Sequence, residues 1–308
     1  MPDPAYTTLA LVLTYRCALR CRYCPVLKRD ESMPRDLALM AVDELLTDDV
    51  ALIRFSGGDP LGEFATVEAL LDHVKRPVRF KLTTNGVDLT DAILDRLEAD
   101  SRVDLVVSVD GPRDVHCAQR LAHRESADAY DWFERFAPRL ARFARPVQVN
   151  LVVAPDNASR LVESVHAVAR YKLFRYNLLP AYYVEWSDAA LAALEESFRK
   201  LAAYFEAGRR RGLPFSLANA ENVSRQPLYV DALVIDVDGE CYDNDAVASR
   251  LLHDEKRQCS LGNVRTPERI DLKRIGRENW PARLRARLSE KAWESTQRVD
   301  DLLARISS

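Results

Sequence analysis

The chain has 308 residues, 47% hydrophobic and 30% charged, with a formal net charge of -3. That is enough apolar material for one large domain or a large and a small one, and the balanced charge argues against a general nucleic-acid binder. No stretch approaches a membrane span, residues 1–8 do not read as a signal peptide, and six cysteines form no disulfide framework, so a reducing, cytoplasmic setting is the expectation.

Leu9–Leu13 is a continuous apolar run and predicts a strand buried on both faces. A loop with Cys17, Cys21 and Cys24 follows at once. Ser32 reads as the N-cap of a helix with apolar positions Leu37, Met40, Ala41 and Leu45. Ala51–Phe55 is the next strand, followed by a helix carrying Phe64, Val67, Leu71 and Val74. Val78–Leu82 is a strand, and Thr90 caps a helix with Ile93, Leu94 and Leu97. Val103–Val109 is a strand, Tyr130–Phe143 a helix and Val147–Val153 a strand. Asn157 reads as the cap of a helix with Leu161, Val162, Val165 and Val168. Tyr176–Leu179 is the sixth strand, and Ala189–Arg211 a long helix. Six β-α units of this kind imply a parallel sheet with right-handed crossovers, either open and twisted or partly closed as a barrel. Functional loops then gather at the C-terminal strand ends, where the cysteine loop lies.

After Arg211 the pattern changes. Pro214–Leu217 and Leu228–Val237 read as strands, and Val237-Asp238-Gly239-Glu240 carries a turn signal. From Arg277 the chain is charged and helical, with Leu284 and Leu288, then Val299, Leu302 and Leu303. The expected division is 1–211, a small β-containing extension over 212–275, and a helical tail over 276–308.

The cysteines are spaced C-x3-C-x2-C, with Tyr23 before the third. Three such thiols can hold three irons of a four-iron cluster and leave the fourth open to a substrate or cofactor. A zinc site completed from elsewhere, or unpaired or disulfide-bonded cysteines, fit the same spacing. Three further strand ends are polar and glycine-bearing. Ser56-Gly57-Gly58-Asp59-Pro60 allows close backbone approach to a ligand. Thr84-Asn85-Gly86 and Ser108-Val109-Asp110-Gly111-Pro112 complete the rim, and Ser108 and Asp110, two apart, share a face. Each alone is an ordinary turn or cap; together they surround the cysteine loop.

This ordered set resembles the radical S-adenosylmethionine enzymes, and more closely the branch of peptide- and protein-modifying members with a SPASM or twitch extension. The resemblance runs from about Leu9 to Leu179. It implies a partial (β/α)6 barrel, a [4Fe-4S] cluster on Cys17, Cys21 and Cys24, and S-adenosylmethionine bound at the open iron. It places Tyr23 near the adenine, and Gly57, Gly58 and Asp59 at the cofactor's amino group, with Asp59 where glutamate is commoner. Asn85 belongs to the same cofactor rim. Ser108 and Asp110 would contact ribose or carboxylate, Arg120 the carboxylate, and Asn150 would line the pocket. The implied chemistry is one-electron cleavage of the sulfonium to methionine and a 5'-deoxyadenosyl radical, which takes a hydrogen atom from an inert carbon. An external electron donor such as flavodoxin or ferredoxin is implied as a partner.

In relatives the extension binds auxiliary clusters through many cysteines. Here only Cys117, Cys241 and Cys259 remain, and three thiols cannot supply all four ligands of a closed cluster. Cys241 also falls earlier than the family's usual cysteine, which aligns at Asn244. A degenerate, cluster-free extension that shapes the substrate cleft is expected, with one open auxiliary cluster on Cys241 and Cys259 as the alternative. Cys117, just beyond the fourth strand, is a candidate hydrogen-atom donor to a substrate radical, set against a plain buried residue. His116, His123, Asp110 and Asp114 stand nearby as candidate proton-transfer groups. The family branch favours a ribosomally made peptide as substrate. With the first strand starting near residue 7 and no leader-recognition domain before it, a peptide-recognition partner protein or direct binding in the cleft is expected. A small-molecule substrate is the runner-up, and a non-catalytic iron-sulfur or zinc protein the reading of another class.

Overall fold

The computed structural model describes residues 6–122, 128–221 and 232–307. The core of the molecule is one sheet. In chain order its strands are β1 (Thr8–Thr14), β3 (Leu52–Gly57), β4 (Arg79–Thr84), β5 (Val103–Ser108), β7 (Gln148–Val153), β8 (Arg175–Pro180), β9 (Ser216–Leu217), β10 (Ala232–Ile235), β11 (Glu240–Tyr242) and β12 (Gly262–Asn263). Two short strands, β2 (Leu19–Cys21) and β6 (Arg120–Ala122), pair separately. The spatial order is β12-β11-β10-β1-β3-β4-β5-β7-β8-β9, parallel from β10 to β9, with an antiparallel turn back through β11 and β12. Among the described residues the sheet ends at β12 and β9 with no pairing between them, in keeping with a partial barrel.

Helices cross over between the parallel strands: α1 (Arg35–Leu45), α2 (Phe64–His73), α3 (Asp91–Ala99), α4 (Arg113–Gln119), α5 (Asp131–Leu140), α6 (Leu161–Ala169) and α7 (Asp188–Arg210). Two more, α8 (Trp280–Arg285) and α9 (Glu290–Ser307), follow the extension. β1 is buried along its whole length, as its unbroken apolar run implies. β4 and β8 alternate instead: Phe80, Leu82, Tyr176 and Leu178 are buried against the helix layer. Arg79, Lys81, Arg175 and Asn177 face the other way and are half-buried. That second face is the concave interior, and it is polar.

Two helix starts differ from the sequence reading. Ser32 does not cap α1, which starts after Pro34 with no side-chain cap; its hydroxyl instead meets Thr14 Oγ1 at 2.7 Å and Glu63. Asn157 precedes a single 3-10 turn, and its Oδ1 accepts from Ala154 N at 2.7 Å, behind the helix. In both cases tertiary partners outcompete the local cap. Thr90 does cap α3, accepting from Ile93 N at 3.2 Å.

The region after α7 is bound into the same sheet. β9 pairs with β8, and β10 pairs with β1 with Thr8 opposite Ala232. Residues 228–231 of the expected strand lie outside the described residues. The extension also grips the cysteine loop: Arg250 N donates to Pro25 O at 2.8 Å, Leu27 N to Ala248 O at 3.3 Å, and Val26 bridges to Ser249. α9 packs on the domain through one face: Thr296 and Val299 are buried, and Thr296 Oγ1 accepts from Tyr183 N at 2.9 Å.

Candidate functional site

The cysteine loop leaves β1 and is seated on the end of β3 by two glycines. Gly57 has φ +113°, and a Cβ there would sit 2.1 Å from Thr14 O. A Cβ on Gly58 would sit 1.9 Å from Arg16 O. Neither space admits a side chain, so the backbones lock directly, with Gly58 N donating to Thr14 O at 2.6 Å and Asp59 N to Arg16 O at 2.9 Å.

Asp59 then ties β3 to β4. It is buried, and its oxygens accept from Leu61 N (3.0 Å), Thr84 Oγ1 (3.0 Å) and Asn85 N (2.6 Å). Burial pushes its carboxyl up to about 6, against the pull of these donors. The Asn85 side chain continues the chain of contacts by donating Nδ2 to Cys17 Sγ at 3.4 Å. Leu19 N lies 3.5 Å from the same sulfur. The Thr84-Asn85-Gly86 motif singles out Asn85 from sequence but not the sulfur it meets.

A second knot lies across the loop. Asp110 is fully buried and accepts from Arg120 Nε and Nη2, both at 2.9 Å, from Tyr23 Oη at 2.6 Å and from Val152 N at 3.0 Å. Arg120 lies opposite Cys21 in the β2–β6 pair, and its guanidinium stands 5.5 Å from the Tyr23 ring centre. Both Asp110 oxygens are thus engaged by protein donors, so in this arrangement its contribution is to hold Arg120 and Tyr23. Ser108 lies at the end of β5, buried, opposite Asn150. Asn150 Oδ1 accepts from Gln148 Nε2 and Asn177 Nδ2, each at 3.0 Å, and so sits in a polar row on the inner face.

The remaining candidates stand apart. Cys117 is half-buried on α4, with its thiol 3.8 Å from Asp128 Oδ1 in a surface charge cluster around Arg113; among the described residues none of its polar partners is a strand-end residue. Its thiol is pushed up by burial and by Asp128. His116 is buried with Nδ1 accepting from Asp110 N at 3.3 Å and Nε2 facing Ala129 O at 3.1 Å, which fixes the Nε2–H tautomer. Burial pushes it down to about 4, so at neutral pH it is a neutral fastener. Asp114 pairs with Arg160 at the surface, and His123 lies outside the described residues. Cys241 and Cys259 are buried in the core, and Asn244 caps a 3-10 turn by accepting from Ala246 N at 2.8 Å.

Sequence reading missed Tyr15, Asp236 and Lys256. Lys256 pairs with buried Asp236 and stands 5.6 Å from the Tyr15 ring centre, with Arg29 stacked on that ring at 4.1 Å. No local motif marks these residues, since the extension brings Asp236 and Lys256 to Tyr15 at the start of the loop.

Cys17, Cys21 and Cys24 are free thiols on one loop, and a cavity of about 750 Å3 opens beside Cys17, Lys28, Asp59 and Val87. Burial pushes the Cys17 thiol up and that of Cys21 to about 11, so their thiolate forms need a compensating cation. A soft, three-thiol set with N–H donors already aimed at Cys17 suits an iron-sulfur cluster. Among the described residues no three His, Cys, Asp or Glu side chains gather to hold a single metal ion, and no helix is long and apolar enough to cross a membrane.

Comparison with known proteins agrees with this geometry. Mycofactocin maturase MftC of Mycolicibacterium smegmatis is 29% identical over 167 residues, covering 52% of this chain and 41% of that protein. A PqqA peptide cyclase of Granulibacter bethesdensis is 27% identical over 193 residues, covering 60% and 50%. The chain therefore spans about half the length of the curated relatives it matches. Among solved structures, native anSMEcpe with bound AdoMet superposes with a TM-score of 0.70 at 17% identity, covering 91% of this chain and 82% of that one. Streptococcus suis SuiB bound to its precursor peptide SuiA superposes with 0.63 at 12%, covering 95% and 66%. These likenesses show the same fold. The Radical SAM superfamily model itself matches residues 11–168, from within β1 to α6. The chain belongs to the radical SAM superfamily, whose enzymes use a [4Fe-4S] cluster and S-adenosylmethionine.

Proposed function

We propose that this protein is a radical enzyme that modifies a ribosomally made peptide, with the cluster on Cys17, Cys21 and Cys24. The observation that carries the reading is the run of contacts from Asp59 through Asn85 to Cys17, which fixes a cluster thiol to two strand ends. When bound, the cluster and S-adenosylmethionine supply one-electron cleavage to a 5'-deoxyadenosyl radical that removes a hydrogen atom from substrate. The chain's own part is position and dryness. Gly57 and Gly58 seat the loop, Asp110 holds Arg120 for a carboxylate and Tyr23 for an aromatic base, and Ser108 and Asn150 line the pocket below. The extension, 212–275, buries the loop's exit and shapes the cleft, and 276–308 braces it.

The peptide substrate is supported by the named activities of the relatives, a maturase and a peptide cyclase. An external one-electron donor of the flavodoxin or ferredoxin kind, a peptide-recognition partner and a cytoplasmic setting belong to the same reading. The test is anaerobic incubation of the reconstituted protein with reductant, S-adenosylmethionine and deuterated candidate peptides. Deuterium in 5'-deoxyadenosine supports the reading. Its absence alongside 5'-deoxyadenosine formation moves the substrate to small molecules, and zinc without sulfide in metal analysis ends the radical reading.

A further inference from the structure

We propose that the concave face of the sheet holds an anion site that seats a carboxylate of the substrate, a proposal that rests on the peptide-modification reading and narrows its substrate class. A cavity of about 360 Å3 opens at the N-terminal ends of the strands, lined by Leu52, Lys81, Asp104, Arg145, Gln148 and Arg175. Leu52, Lys81, Asp104, Gln148 and Arg175 come from β3, β4, β5, β7 and β8 and share one face by register, while Arg145 reaches in from the turn before β7. Lys81 lies opposite both Arg54 and Asp104, and Gln148 opposite Arg175.

Cations dominate this wall. Asp104 is held by Arg79 at 3.0 Å and Arg145 at 2.8 Å, and Arg54 by Asp245 of the extension. Lys81 and Arg175, each with contacts of its own, add their charge to the same cavity. Cations gathered around one cavity reinforce one another's field and draw in an anion. Guanidinium groups add bidentate recognition of a carboxylate.

The position matters as much as the charge. Farther up the same face Ser108, Asn150 and Asn177 stand opposite one another as a neutral row, next to the rim that carries Asp110. Asp104 and Ser108 are four residues apart on β5, about 13 Å of extended chain. An anion anchored on the cationic row would therefore set the rest of the substrate at a fixed distance from the cysteine end. The site acts as a ruler for which carbon reaches the rim.

A substrate carboxylate and free phosphate share the required chemistry, and calorimetry on the reconstituted holoenzyme separates them. The probes are N-acetylated, C-terminally amidated tri-glutamate and tri-glutamine, so that only the first carries carboxylates, and inorganic phosphate. Tri-glutamate is expected to bind at least roughly tenfold more tightly than either other probe, and Arg175→Gln or Lys81→Met to weaken it by roughly tenfold or more. Arg145→Gln, on a half-exposed side chain, provides a variant with little risk to folding and should weaken it in the same direction, with Arg175→Lys recovering part of the loss. Equal binding of tri-glutamate and tri-glutamine, tighter binding of phosphate, or unchanged affinity in Arg175→Gln and Arg145→Gln would overturn the site. The readout is heat of binding and not turnover. A protein that binds tri-glutamate but forms no 5'-deoxyadenosine would refute the radical reading and leave the anion site standing.

Discussion

Asn85 Nδ2 lies 3.4 Å from Cys17 Sγ, and its own backbone N–H is fixed by Asp59 at 2.6 Å. A donor aimed at a cluster sulfur stabilises the more negative, reduced state and raises the reduction potential. Asn85→Ala should lower the cluster potential by on the order of 50 mV, about 1 kcal/mol for one electron. Redox titration followed by electron paramagnetic resonance checks this; an unchanged potential would show that the contact is only structural.

Asp59 and His116 titrate in opposite senses. Asp59, raised from 3.8 to about 6, contributes stability that is full below about pH 4 and lost as pH rises through 6. His116, lowered from 6.5 to about 4, contributes stability that is full above 6.5 and lost as pH falls through 4. Each amounts to about 3 kcal/mol, so between pH 4 and 6 the two slopes cancel. His116→Gln should expose a fall in urea midpoint with rising pH, and Asp59→Asn a rise. Parallel profiles in both variants would contradict the assignment.

Asp59→Asn carries a second expectation. Both carboxylate oxygens accept backbone N–H groups, from Leu61 and from Asn85, so an amide must set its NH2 against one of them. Despite removing a buried charge, the change should cost about 1–3 kcal/mol at neutral pH, read from denaturant unfolding of the unreconstituted protein.

Gly58→Ala should be severe. The added methyl meets backbone, not a movable side-chain tip, at 1.9 Å from Arg16 O. A loss of about 3 kcal/mol or more is expected, together with iron and sulfide well below four per chain. Gly212→Ala, where nothing lies within 4 Å of the new Cβ, is the control for alanine itself, although its φ of +80° carries its own smaller cost.

Asp110→Asn strands Arg120 in a buried site and releases Tyr23. About 3–5 kcal/mol of destabilisation is expected, with S-adenosylmethionine affinity falling more than cluster content. Cys117→Ala, by contrast, should leave product formation intact, because the thiol points to Asp128; product lost in that variant would restore Cys117 as a hydrogen donor.

The alternation of β and α segments was legible because each element carries its own period, and the strand-end motifs because glycine and polar residues interrupt apolar runs. What escaped was non-local. Ser32 is a good cap by chemistry, yet Thr14 and Glu63 claim its hydroxyl from β1 and the turn before α2. Nothing near Leu233 says that its strand will pair with Leu9. The gathering of cations on the inner face is invisible until the register places Lys81 beside Arg54, and Gln148 beside Arg175.

The pairing of β10 with β1 has a temporal consequence. The strand that leads into the cysteine loop keeps one edge bare until residues near 235 have left the ribosome, because Thr8 waits for Ala232. At roughly 5–20 residues per second that interval is on the order of 10–45 s. The clasp on Pro25 and Leu27 arrives later still, with Ala248 and Arg250. During synthesis the cysteine loop is therefore a loose end, and its final seat waits for the residues of the extension.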